Sequence, residues 1–202
     1  MSEKLSFDPD DLLQRLRANQ SEVNAIEIGE IVALLESPAS AIDRHTFVSI
    51  LGYGGMNEAR PVVERLLTCS SDPLLAAEAL EVLCSDWSLT ADYAEAVADF
   101  ARGVTWDEDG DVQHVALRIM GEELSERRDR GWFRLLLHIA RDEAQPFMAR
   151  EAAIRALATG LGDDVLKLPS AAVDQPLDSE WSINTLRRAE QSTAQLPPPA
   201  FH

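Results

Sequence analysis

Apolar residues recur at helical spacing in a segment that occurs three times along the chain. The first copy, residues 72–84, reads DPLLAAEALEVLC, and residues 112–121 and 149–159 follow at intervals of 37 positions. A fainter copy containing Phe47 and Leu51 lies 32 positions upstream of the first. A period of this length is typical of stacked helical hairpins. The matching positions are Leu75/Val112/Ala149, Ala79/Ala116/Ala153, Leu80/Leu117/Ile154, Val82/Ile119/Ala156 and Leu83/Met120/Leu157.

A second apolar series lies between these copies and repeats in step with them, first at an offset of 34 and then of 39. Each unit is therefore predicted to contain two helices, one from each series, packed as a hairpin with an apolar face on each. The second series comprises Ala59/Val63/Leu66/Leu67, Tyr93/Val97/Phe100/Ala101 and Trp132/Leu136/Ile139/Ala140.

Helix boundaries follow from capping residues and helix breakers. Asp8 and Asp72 each precede a proline, a pattern that predicts a helix start. Asp111 is predicted to cap the helix that follows it. A final helix over residues 178–191 is expected to cover the end of the array with Trp181, Ile183 and Leu186. The predicted intervening helices span 58–69, 73–84, 91–102, 112–124 and 146–160, with one between the last two presenting Trp132.

The repeated segments resemble the HEAT-repeat family, whose short bacterial units read roughly DPxVRxxAAxALxxL. The resemblance spans about residues 28–160, although the consensus arginine is present only as Arg150 and is replaced by Ala76 and Gln113. It implies an all-α fold, an α-solenoid of stacked antiparallel helical hairpins with N-terminal and C-terminal capping helices. The expected organisation is a HEAT-like domain over residues 1–168, followed by a capping segment and proline-rich tail over 169–202.

The chain is strongly acidic, with 35 Asp and Glu against 18 Lys and Arg and a formal net charge of -17. Such a field repels nucleic acids and anionic membranes and attracts cationic partners, although acidity also serves solubility alone. No signal-peptide pattern and no long apolar run is present, and the two cysteines have no metal-ligand spacing. We therefore expect a cytoplasmic protein that does not bind membrane or nucleic acid.

Catalytic signatures are absent from the sequence. The four histidines share no spacing, and no HExxH, GxSxG, P-loop or dinucleotide fingerprint occurs. The acidic loop at residues 107–111 lacks the glycine register of a calcium-binding EF-hand. No metal or cofactor is expected, and a non-enzymatic role is favoured over an enzymatic one.

The candidate binding residues come from the resemblance and from one loop. In HEAT proteins the second helix of each hairpin lines the concave face, which by position implies Glu64, Glu95, Asp99, Arg134 and His138 as partner-binding residues. Trp106 lies beside acidic residues and is either an interface anchor or packed beneath the next helix. Its acidic neighbours in the candidate interface are Asp107, Glu108 and Asp109.

Two functions from different classes are compatible with these patterns. The favoured one is a non-enzymatic scaffold whose acidic concave face binds a cationic protein. In a narrower form the chain is an immunity-type inhibitor of a basic toxin. The alternative is a HEAT-like lyase, or an enzyme-associated subunit, acting on a protein-bound small molecule. This alternative predicts a deep pocket around His138, Arg134 and Asp99.

Overall fold

The computed structural model describes residues 5–18, 20, 22–37, 44–164 and 177–197. These residues form ten α-helices and no strand, which confirms the all-helical prediction. The chain divides into two compact units, Met1–Tyr93 and Ala94–His202. The predicted boundary between residues 168 and 169, and residues 198–202 of the proline-rich tail, lie outside the described part of the chain.

The first unit contains five of these helices. They are α1 (Pro9–Arg17), α2 (Ala25–Glu36), α3 (Arg44–Tyr53), α4 (Arg60–Leu66) and α5 (Pro73–Glu81). Helix α3 packs against α1, α2 and α5, and α4 packs against α2 and α5. A short 3-10 helix at Asn57–Ala59 leads into α4, and a π-helical turn at Val82–Asp86 continues α5.

The predicted caps of α1 and α5 are present. The Asp8 carboxylate accepts the backbone N–H groups of Asp10 and Asp11, and Asp72 accepts that of Leu75 at 3.1 Å. Both helices begin at a proline, which has no N–H and so removes one of the donors that lack a partner in the first turn of a helix.

The second unit contains the other five helices. They are α6 (Ala94–Arg102), α7 (Asp111–Glu126), α8 (Arg130–Arg141), α9 (Phe147–Gly160) and α10 (Glu180–Gln195). Helices α7 and α9 pack side by side, α8 lies against α9, and α6 lies against α7. Helix α10 packs on both α8 and α9.

The repeated apolar positions form the cores of the two units. All fifteen positions of the first series are at most 4% exposed, and eleven of the twelve positions of the second series are also buried. The exception is Trp132, which is only half-buried, whereas its neighbour Phe133 is completely enclosed. Trp132 is therefore less deeply buried than its repeat equivalents Ala59 and Tyr93.

A hydrogen bond also recurs between the repeats of the second unit. Nε2 of Gln113, at the start of α7, donates to the Ala101 carbonyl at 3.0 Å. Nε of Arg150, at the start of α9, donates to the Ala140 carbonyl at 3.3 Å. Donors and acceptors both occupy equivalent repeat positions, so Gln113 holds the end of α6 as Arg150 holds the end of α8.

Helix α10 packs through small side chains rather than the predicted large ones. Ile183 is 46% exposed, and Trp181 and Leu186 are only half-buried. Small residues let the helix backbone approach α8 and α9 closely, and Arg188 adds two hydrogen bonds to Asp163 at 2.8 and 2.9 Å. The buried residues of α10 are Ser182, Thr185, Ala189, Ser192 and Thr193.

Candidate functional site

Four of the predicted partner-binding carboxylates are exposed in the second unit. Glu95 and Asp99 lie on α6, and Glu108 and Asp109 lie in the loop between α6 and α7. Asp99 forms an ion pair with Arg102 at 2.6 Å, one turn along the same helix. The other three carboxylates are solvated and able to meet a cationic group.

Asp107 has a structural position instead. Its side chain is 8% exposed, and its two carboxylate oxygens accept the backbone N–H groups of Asp111 at 2.9 Å and Gln113 at 3.0 Å. It therefore caps α7, a position that the sequence assigned to Asp111. Gly110, at a φ of +79°, turns the chain into the helix and leaves Asp111 as its first residue.

Replacing Asp107 with alanine should lower the free energy of unfolding by about 1–2 kcal/mol, because two N–H groups at the start of α7 lose their acceptor. Asp109→Ala is the matched control, since it removes a nearby carboxylate that is exposed. Urea unfolding of the two variants measures the difference. Equal stability of both variants would contradict the capping role.

Trp106 packs against the helix that precedes it, α6, whereas the sequence analysis considered packing beneath the next helix. Its ring is half-buried and meets the ring of Phe100 edge-on, with 6.2 Å between the ring centres and an angle of 79°. Phe100 belongs to the buried face of α6. One part of Trp106 is thus packed against that face, while the rest remains accessible in the acidic loop.

Glu64, in the first unit, belongs to a local polar network. It accepts hydrogen bonds from the Tyr93 hydroxyl and from Nε of Arg60, the latter at 2.8 Å. These two donors hold the pKa of the Glu64 carboxyl below its ordinary value. Arg60 also pairs with Asp92 at 2.9 Å. The carboxylate of Glu64 is consequently engaged within the unit, although its side chain is only partly buried.

Arg134 and His138 lie one turn apart on α8 and are both exposed. Asp99, the third residue of the predicted pocket, is exposed on α6. A cavity of about 420 Å³ is present in the second unit, but it lies between α7 and α9 and none of these three residues lines it.

The α7–α9 cavity has the size of a small-molecule site, and its lining combines apolar side chains with convergent polar groups. Apolar surface comes from both helices. Polar groups stand one or two turns apart on each helix, so that they face the same space. The apolar lining is Val115, Met148, Ala152 and Ala156, and the polar lining is His114, Arg118, Glu122, Glu151, Arg155 and Thr159.

Glu151 is the most buried charged residue of this cavity, at 9% exposed. Its Oε1 lies 3.5 Å from Nε of Arg155, a loose ion pair. Burial raises the pKa of the Glu151 carboxyl above its ordinary value of 4.5, opposed by the charges of Arg155 and His114. A buried titratable group in a cavity is a common feature of functional sites.

His114 is fixed by its own helix. Its Nδ1 donates to the Gly110 carbonyl at 2.7 Å, which leaves Nε2 as the acceptor when the ring is neutral. Neither His114 nor Glu151 was among the site residues predicted from the sequence. Both occupy the repeat position held by the buried Ala77 in the first copy, so a titratable residue at an apolar position was the available signal.

Comparison with protein-family models, with curated proteins and with solved structures finds no match to this chain. Among the described residues, none of the helices is long and apolar enough to cross a membrane. Evidence for a function therefore comes from the residues of this chain and their geometry.

Proposed function

We propose that this chain is a non-enzymatic scaffold that binds a cationic protein through the acidic surface of its α6–α7 segment. The main support for this proposal is the excess of negative charge between the start of α6 and the start of α7. Residues 94–111 contain six carboxylates and one basic residue, Arg102, which is already paired with Asp99. Exposed carboxylates without a competing cation are the groups that a basic partner requires.

The chain-wide charge of -17 supports the same function, since its field steers a basic partner towards the surface and accelerates encounter. Trp106 provides an aromatic contact within the acidic loop, and aromatic residues are frequent interface anchors. In this proposal the repeats form a HEAT-like array. A narrower form is an immunity-type inhibitor of a basic toxin.

The lyase-like alternative has less support. It required a deep pocket around His138, Arg134 and Asp99, and these side chains are exposed. The α7–α9 cavity is lined by other residues. Binding of a protein at the acidic surface is therefore the function that the observed geometry favours.

The test is affinity purification of the tagged chain from its own host at low salt, followed by measurement of binding to the recovered partner. Reversing Glu95, Glu108 and Asp109 to lysine should weaken binding at least tenfold, or about 1.4 kcal/mol, because three attractions become repulsions. Asp107 is left unchanged in this variant because it caps α7. The wild-type affinity should fall as salt is raised.

A control variant with the same change in net charge distinguishes binding at the acidic surface from the effect of the overall negative charge of the chain. Glu58, Glu126 and Glu143 are exposed and lie outside residues 94–111, so their reversal to lysine should weaken binding much less. Equal loss in the two triple variants would refute a defined acidic interface. Recovery of only acidic partners would refute the proposed class of partner.

A further inference from the structure

The charged groups of the α7–α9 cavity differ in depth. The side chains of Arg118 and Glu122 are 41% and 46% exposed and pair with each other at 2.6 Å. Arg155 is 29% exposed, whereas the side chain of Glu151 is only 11% exposed. The arginines thus reach the solvent at the rim, and the deepest charged group is a hydrogen-bond acceptor.

That acceptor is poorly satisfied by the protein. At 3.5 Å, the contact with Arg155 is longer than the 2.7–2.9 Å usual for a charged N–H···O hydrogen bond. Within the described part of the chain, no hydrogen bond to the Glu151 carboxylate is found. A carboxylate removed from water without donors is costly, so a ligand that supplies a donor here gains a strong interaction.

We propose that the α7–α9 cavity binds a small amphipathic amine, with its ammonium group at Glu151 and its apolar body against Val115, Met148, Ala152 and Ala156. These four apolar residues line the same cavity as Glu151. Its volume of about 420 Å³ lies within the range of small-molecule binding sites. The site is separate from the acidic α6–α7 surface and does not depend on protein binding there.

Charge selects an amine over an acid of the same length. An anionic head group would meet the buried Glu151 carboxylate, and the chain-wide charge of -17 opposes its entry. Of the two arginines at the rim, Arg118 is paired with Glu122 at 2.6 Å, whereas Arg155 lies 3.5 Å from Glu151. An ammonium group adds the donor that Glu151 lacks.

The test compares three ligands that share one apolar chain: hexylammonium, hexanol and hexanoate. Each is titrated into the full chain at neutral pH, and binding is followed by NMR shifts of α7 and α9 residues. Hexylammonium should bind at least tenfold more tightly than hexanol, with hexanoate weakest. Glu151→Gln should remove the advantage of the amine over hexanol, whereas Glu143→Gln, an equal charge change at an exposed site, should preserve it.

A second variant tests the cavity itself. Ala152 is half-exposed in the cavity wall, so Ala152→Trp should fill the space without disturbing the core and abolish binding of the amine. Glu151→Gln should remain folded, because it removes a buried charge. Tighter binding of hexanoate, no binding of any of the three ligands, equal effects of Glu151→Gln and Glu143→Gln, or undiminished binding to Ala152→Trp would each overturn the proposal.

Discussion

Replacing Gly121 with alanine should lower the free energy of unfolding by about 1–3 kcal/mol, even though alanine is the better helix former. A Cβ at this position would lie 2.8 Å from both the Cα and the carbonyl oxygen of Ala156 on the facing helix. These are backbone atoms, which cannot rotate away. Helices α7 and α9 would have to separate, loosening the packing along their contact. Urea unfolding of the full chain measures the loss.

Gly29→Ala provides the matched control. Gly29 is an exposed helical residue of α2, and nothing lies within 4 Å of the space that its Cβ would occupy. There the substitution should stabilise the protein by about 0.5–1 kcal/mol through helix propensity alone. A gain in stability in both variants would show that α7 and α9 do not approach as closely as the structure indicates.

The helical faces could be predicted because the repeat supplies the same information several times. A single apolar stripe is ambiguous, but Leu75, Val112 and Ala149 share one register and are all buried. The close approach of α7 and α9 was partly visible in the small residues Ala116 and Ala153. The sequence therefore predicted the inner face of the repeat helices, although it did not identify Gly121 as a point of close backbone approach.

Hydrogen bonds between elements were not predictable from residue type. Gln113 and Arg150 are different residue types, yet Gln113 donates to the same repeat position of backbone carbonyl that Arg150 contacts one repeat later. Asp107 and Asp111 are both suitable caps by composition. The left-handed conformation of Gly110 decides between them, because it brings Asp107 beneath the first turn of α7.

The two candidate sites also differ in how far they could be predicted from the sequence. Exposed carboxylates such as Glu95 and Glu108 follow from helix register and loop position, which the sequence supplies. The burial of Glu151 depends on α7 covering one side of α9, and among 35 acidic residues its alignment with the buried Ala77 was the sequence signal that set it apart. Its environment is a property of packing.

Phe133→Ala should be among the most destabilising substitutions in the second unit, with a loss of about 3–5 kcal/mol. The ring is fully buried, and its Cζ lies 3.6 Å from the position that a Cβ on Gly160 would occupy. Truncation leaves a cavity between α8 and α9 that neighbouring backbone cannot fill. Trp132→Ala should cost much less, because the larger ring is only half-buried.

The contrast between these neighbours tests which of the two rings fills the core. Tyr93 and Ala59, the repeat equivalents of Trp132, immediately precede α6 and α4, whereas Trp132 already lies within the first turn of α8. Phe133 joins Leu136, Leu137 and Ala140 on the buried face, and the ring of Trp132 beside it is half-buried. Thermal unfolding of both alanine variants compares the contributions of the two rings to stability. A larger loss for Trp132→Ala than for Phe133→Ala would contradict the burial of Phe133 in the core.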